Sequence, residues 1–245
     1  MQWHHWHLDP LRLEQLLLRT ELVKPLLRRS LEEEITQLVD LPADELQTLQ
    51  QEFRQAQGLE QEEALSSWLE QRCWTAADLS LHLARPVALN RFAEQRFGPG
   101  VEDTFLQRKN DIDTVVYSLL RVGDHGLARE LWIQLGEGEI SFAEAASRHS
   151  DGPEATTKGV IGPLPLGQLQ PELAERLRSM RQGDLRPPES MGAWWVLLRL
   201  EQLTPARLDA AMRDRLLQEQ LQTWLEERAT ALIQGEHTDP LHYDR

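Results

Sequence analysis

The sequence predicts an α+β protein in which a small sheet and its covering helices lie within a mainly helical chain. Apolar residues recur at helical spacing through residues 8–110, where strand-like alternation is absent. Residues 115–122 and 194–200 are rich in β-branched, aromatic and other apolar side chains, and each stretch predicts a strand. Helical patterns separate the two strands, an order typical of a small sheet covered by helices.

Residues 1–111 are predicted to form a helical region made of several consecutive helices. The leucines from Leu11 to Leu27 recur at helical spacing. Ser30 and Glu33 have the spacing of a capping box, which predicts that a new helix begins there. Thr75 and Asp78 have the same spacing and predict another helix start.

The segment 112–203 contains both predicted strands and is expected to form a separate domain. A helix with several leucines follows the first strand, and a second, short helix begins at Phe142. Residues 150–167 carry several glycines and prolines and predict a loop. Pro171 begins a further helix, which precedes the strand that ends at Leu200.

Residues 204–234 are predicted to form one long helix that docks on the N-terminal region. Thr204 followed by Pro205 is typical of a helix start. The apolar positions beyond them form a single stripe that includes Trp224. We expect this stripe to be covered, because exposing so much apolar surface to water is unfavourable. The polar tail, 235–245, is expected to be loose.

The composition argues against several classes of partner and cofactor. The formal net charge of −14 disfavours binding to nucleic acid and to anionic membrane surfaces. The single cysteine, Cys73, rules out an intramolecular disulfide and a zinc site built on paired thiolates. We expect no metal and no cofactor, and we expect His4, His5 and His7 to bind metals only adventitiously. Neither a signal peptide nor a membrane-spanning stretch is recognisable, so the sequence predicts a cytoplasmic protein without membrane insertion.

Three short motifs follow one another in the segment 112–203. They are GEISFAEAA at 138–146 leading to Ser150 and Asp151, GVIG at 159–162 with GQLQP at 167–171, and GDLRPP at 183–188. In this order and spacing the segment resembles the parvulin family of peptidyl-prolyl isomerases. The resemblance implies the small parvulin sheet with its helices and the cis–trans isomerisation of X–Pro bonds.

The helical remainder is similar to the body of SurA-type chaperones, in which N-terminal helices and a C-terminal helix pack together with the parvulin unit between them. The full layout resembles cyanobacterial parvulin-like proteins, some of which are linked with peptide or type I export. These resemblances imply an unfolded or extended polypeptide client. They also imply an export or peptide-maturation system as a further partner.

Parvulins place two histidines and a cysteine or aspartate beside the bound proline ring. At the corresponding positions this sequence has Ser118, Gly152 and, depending on the direction of counting along the last strand, Trp195 or Trp194. The resemblance therefore implies a site whose three polar groups are all replaced. Whether isomerase activity remains is left open by these replacements.

Leu169 and Leu173 stand at the Met and Phe positions of the parvulin proline pocket, so the resemblance implies substrate binding there, together with one of Trp194 and Trp195. A leucine pair four residues apart on a helix is also common in plain cores. Two functions remain open. One is a parvulin-type isomerase or foldase that binds extended or proline-containing polypeptides, and the other is a non-catalytic escort or adaptor for peptide maturation or export.

Overall fold

The computed structural model describes residues 9–243, which form two compact units. The first unit contains the residues up to Glu102 and those from Asp209 onward, and the second contains Asp103–Leu208. The elements follow in chain order as α1 (Pro10–Arg19), α2 (Val23–Val39), α3 (Ala43–Gln57), α4 (Glu62–Arg72), α5 (Ala76–Phe97), α6 (Val101–Ile112), β1 (Thr114–Val122), α7 (His125–Glu137), α8 (Phe142–His149), β2 (Val160–Pro165), α9 (Pro171–Arg178), β3 (Glu189–Met191), β4 (Trp194–Thr204) and α10 (Ala210–Ile233). The boundaries expected after residues 111 and 203 lie inside α6 and β4.

The two capping boxes predicted in the helical region have different outcomes. Thr75 and Asp78 form a complete box at the start of α5, where each residue's side chain accepts a hydrogen bond from the other's backbone N–H. This prediction is confirmed. The start predicted at Ser30 and Glu33 is wrong, because α2 runs through both without interruption. The helix continues there because no glycine or proline follows its first turn to end it.

The last helix begins later than the Thr204–Pro205 pair predicts. Thr204 is still part of β4, where it lies opposite Thr114 of β1. The N-cap is Asp209, whose side chain accepts a hydrogen bond from the backbone N–H of Met212 at 2.9 Å. A carboxylate at this position satisfies a backbone donor that the helix itself leaves unpaired, so α10 begins at Ala210.

Within the first unit, α10 packs on α2 and α5. Its Leu216, Leu221 and Leu225 are buried. The ring of Trp224 lies 5.4 Å from that of Phe92 on α5, measured between ring centroids. The apolar stripe of α10 is therefore a major part of the core of this unit.

The second unit is built on a four-stranded antiparallel sheet with the order β2-β1-β4-β3. Strand β1 is central and pairs with β4 along its whole length. The pairing shifts between Val116 and Tyr117, which is a bulge in the middle of β1. The sheet is thus interrupted at the level where the resemblance implies the site.

Side chains alternate between the two faces of this sheet, and each face has its own core. The face that packs against α9 is called the α9 face, and its buried strand residues are Val115, Tyr117, Leu119, Val196, Leu198 and Leu200. The face that packs against α7 and α8 is called the α7–α8 face, and its buried strand residues are Leu120, Val122 and Leu197. Any site at the sheet must therefore be assigned to one face or the other.

Two features are absent from residues 9–243. No helix there has both the length and the apolar character needed to cross a membrane. No three His, Cys, Asp or Glu side chains in this part of the chain are grouped so that they could hold a metal ion. The cluster of His4, His5 and His7 lies outside the described residues.

Candidate functional site

Partly covered apolar side chains lie along both edges of the α9 face, at β2 on one side and at β3 on the other. Ile161, Leu164, Leu169 and Met191 are half-buried and pack against the core of this face; these four residues are called the apolar rim. Leu173 of α9 is 8% exposed and belongs to the core behind the rim. The structure therefore places Leu169 and Leu173 on one face, with Leu173 inside and Leu169 at the edge.

Trp194 and Trp195 lie on opposite faces of β4. Trp195 packs against the α7–α8 core, and its ring centroid lies 4.2 Å from that of His125. Alternation along the strand places Trp194 on the same face as Val196, where the tryptophan is 36% exposed. Of the two residues, Trp194 is the one on the side of Leu169.

Ser118 lies on the α7–α8 face, away from Leu169. The residue is 0% exposed, and its hydroxyl donates a hydrogen bond to the carboxylate of Glu201. The same carboxylate accepts a hydrogen bond from Arg199 Nε at 2.8 Å. Ser118 is thus a buried hydroxyl with its own partner. The structure does not bring it to the rim, because a difference of one residue along a strand changes the face.

On β1, Tyr117 faces α9 at this level, and sequence reasoning missed it. Tyr117 is 4% exposed and pairs with Ile161 of β2 and Leu200 of β4. Burial raises the pKa of its hydroxyl, and the nearby Glu154 adds to this effect while Arg121 opposes it. The bulge before Tyr117 changes the strand register, and the local alternation of residue types gives no sign of it.

A buried polar cluster lies beyond Tyr117 at the same face. Glu154 is 4% exposed, and its Oε1 accepts hydrogen bonds from Arg121 Nε at 2.8 Å and from Ser150 Oγ at 2.6 Å. A Cβ atom on Gly152 would overlap both carboxylate oxygens of Glu154 and the Nε of Arg121. The carboxylate of Glu154 therefore occupies the space that a side chain at position 152 would need.

Glu154 remains ionised although it is buried. Burial by itself raises the pKa of a carboxyl group, but hydrogen bonds from Ser150 and Arg121 outweigh it and hold the pKa of Glu154 below its usual range. Its second oxygen, Oε2, is buried and has no hydrogen-bond partner among the residues that the structure describes. The cluster is thus a fixed negative charge that holds the Nε edge of the Arg121 guanidinium.

Comparison with known proteins decides the family of the second unit. Residues 125–202 match the rotamase family model, described as the PPIC-type PPIASE domain. These residues form a parvulin domain. The match begins at α7 and ends within β4, so β1, with Ser118 and Tyr117, precedes it.

Two curated relatives match part of this chain. NifM of Azotobacter vinelandii is 32% identical over 103 residues, which are 40% of this chain and 35% of NifM. The chaperone SurA of Sodalis glossinidius is 31% identical over 111 residues, which are 41% of this chain and 26% of SurA. The matched part therefore spans about a third or less of each relative.

Among solved structures, PrsA of Bacillus cereus has a TM-score of 0.51 with this chain. The match covers 95% of this chain and 90% of PrsA at 14% sequence identity. At this identity the match shows the fold alone. The fold that it supports combines a small antiparallel sheet with helices, as in that PrsA.

Proposed function

We propose that this chain is a parvulin-type foldase that binds extended or proline-containing segments of polypeptide clients at the apolar rim. The half-buried rim residues carry the proposal, because they offer apolar side chains at the partly open margins of a folded core. Trp194 supplies a further exposed ring on the same face. The SurA relative is named a chaperone, which supports a polypeptide as the class of ligand.

Binding is expected to be stronger than catalysis at this site. Rotation about a peptide bond meets a barrier of about 18–20 kcal/mol. The strand residues that face α9 include no histidine, so the two parvulin histidines have no counterpart on this face of the sheet. Loss of one preorganised polar group costs roughly 10²–10³-fold in rate at well-studied enzyme sites. Apolar burial, at about 25 cal/mol per Å², does not depend on those groups.

A matched pair of variants tests where peptides bind. Leu169→Ala removes apolar surface from the rim and is expected to weaken binding of a fluorescently labelled proline peptide by about 5- to 10-fold. Ile133→Ala on α7 removes similar surface from an exposed position remote from the α9 face and should leave binding unchanged. Equal affinities of the two variants would place the peptide elsewhere.

A protease-free isomerisation assay, with the protein in excess over a proline tetrapeptide, tests the catalytic part. We expect exchange close to the spontaneous rate, which corresponds to roughly tens of seconds. Turnover comparable to that of an ordinary parvulin would contradict a weakened site. Failure to bind any extended peptide would contradict the foldase proposal and favour the adaptor alternative.

The remaining parts of the proposal rest on the sequence and its resemblance. We propose an export or peptide-maturation system as the further partner and the cytoplasm as the location. Recovery of the same export component with the wild-type protein and with the Leu169→Ala variant would indicate an adaptor contact that is independent of the rim. Loss of that component together with peptide binding would indicate a contact through the client.

A further inference from the structure

Arg121 is a cationic group on the α9 face that carries unused hydrogen-bond donors. It follows Tyr117 and Leu119 in the alternation of β1 and lies opposite Val196 of β4. Its side chain is 31% exposed, and its Nε donates to Glu154 Oε1 at 2.8 Å. Within residues 9–243, no hydrogen bond engages its two terminal amino groups.

The guanidinium of Arg121 is held in one orientation rather than being free at the surface. The carboxylate that holds it is buried and is itself fixed by Ser150 Oγ at 2.6 Å. Gly152 provides the space for this arrangement, since any side chain there would overlap both partners. Burying a carboxylate is costly unless it is paired. The ion pair with Arg121 and the hydrogen bond from Ser150 compensate for the burial of Glu154. The result is a pre-oriented donor at the end of an apolar face.

A proline segment bound on the α9 face would bring a hydrogen-bond acceptor near Arg121. Proline has no backbone N–H, so the peptide group that precedes its ring offers only a carbonyl oxygen, which accepts hydrogen bonds. The other polar strand side chains of the α9 face are the buried Tyr117 and Glu189 of β3, which lies opposite Val196 and is already paired with Arg176 of α9. A protein donor that is already oriented therefore matches the acceptors of an X–Pro segment.

We propose that Arg121, positioned by Glu154, donates its terminal amino groups to the carbonyl oxygen of the residue that precedes a proline bound at the apolar rim. This inference rests on the proposed function, because it names the polar contact made by the same peptide. It also assigns a role to Gly152, which leaves space for the positioning carboxylate.

The same geometry favours binding over catalysis. Resonance in a planar amide places negative charge on the carbonyl oxygen and gives the C–N bond its partial double-bond character. Twisting the bond removes that charge, so a donor at the oxygen stabilises the planar state more than the twisted state. An interaction that is stronger in the ground state does not accelerate the reaction. Arg121 is therefore a binding residue rather than a catalytic one.

The experiment compares two peptides that differ in one atom. The first is a labelled tetrapeptide with one Ala-Pro bond, and the second has sulfur in place of the carbonyl oxygen before the proline, which is a weaker acceptor. Wild type should bind the sulfur peptide more weakly. Arg121→Gln should bind the oxygen peptide about 10- to 100-fold more weakly than wild type and should lose most of the discrimination between the two peptides. Any isomerisation by this variant should show a raised KM together with a raised kcat, because the lost contact stabilises the planar state more than the twisted state.

Three further variants complete the design. Arg148→Gln removes an exposed arginine of α8 that pairs with Glu144, and it should behave as wild type. Arg121→Lys keeps the charge without the planar fork and should recover only part of the discrimination. Glu154→Ala leaves Arg121 in place without its positioning partner and should also lose discrimination. Circular dichroism establishes which variants are folded.

The outcomes separate the inference from the function on which it rests. If Leu169→Ala weakens binding while Arg121→Gln binds and discriminates as wild type does, the inference is wrong and the proposed function stands. If wild type binds neither peptide, both are wrong. Equal binding of the two peptides by wild type overturns the inference even if the Arg121 variants do not fold. Full discrimination by folded Glu154→Ala overturns the positioning role.

Discussion

The structure explains why position 152 is a glycine. From the sequence alone, Gly152 could be described only as the replacement of a polar parvulin residue. Its φ of −104° and ψ of 173° are open to any residue, so the backbone does not require glycine there. Space requires it, because a Cβ would overlap the carboxylate of Glu154 and the Nε of Arg121. We expect Gly152→Ala to lower the free energy of unfolding by about 1–3 kcal/mol, the usual cost of overpacking.

Chemical denaturation measures this change, and Gly136→Ala is its control. Gly136 lies in α7 with open space around its Cβ position. The same substitution there should be neutral or should stabilise by about 0.5–1 kcal/mol, because alanine favours a helix over glycine. Equal stability of Gly152→Ala and wild type would mean that the carboxylate does not depend on that space.

The least predictable part of the site was the assignment of strand residues to the two faces of the sheet. Ser118 and Tyr117 are neighbours, and the bulge between Val116 and Tyr117 sets the register that sends Tyr117 to the α9 face. Long-range pairing with β4 fixes this register, so the local residue pattern of β1 does not reveal it. Trp194 and Trp195 are also neighbours, and the sequence left open which of them lies on the side of Leu169.

At the scale of elements, the strands and α9 were predictable because their patterns are local. The β-branched, aromatic and other apolar residues of β1 and β4 form short continuous runs, and the proline at the start of α9 is a single local signal. The starts of α2 and α10 were not predictable from local patterns. Ser30 has the spacing of a capping box but lies within α2. Thr204 is held in β4 by pairing with Thr114. A cap is used only where tertiary structure ends the preceding element.

The core of the first unit depends on α10, and one leucine measures that dependence. Leu221 is fully buried, and α10 packs on α2 and α5. Leu221→Ala is expected to lower the free energy of unfolding by about 2–5 kcal/mol, because it leaves a cavity. Leu232→Ala, at a residue that is 36% exposed on the same helix, should cost much less. Urea titrations of both variants check this, and similar losses would contradict the packing of α10.

At the scale of the whole molecule, the net charge of −14 acts on every client that approaches. We expect an unfolded basic client to bind more tightly at low salt, because the charges of the protein and the client attract over distances of about 10 Å or more. Raising the salt concentration should weaken this binding and leave a neutral apolar peptide unaffected. Titrations at two salt concentrations measure both, and equal salt dependence of the two ligands would rule out long-range attraction.

The chain leaves the first unit at Glu102 and returns to it at Asp209, and this order has a consequence during synthesis. On the ribosome, α2 emerges long before α10, whose leucines complete their shared core. At roughly 5–20 residues per second, the apolar face of α2 waits for about 10–40 s. The residues of the second unit are all available before α10 is made. The helix α5, which also packs on α2, is made early, so we expect only the part of α2 that α10 covers to stay exposed. A protein proposed to bind the apolar segments of other chains would thus expose such a segment of its own while it is being translated.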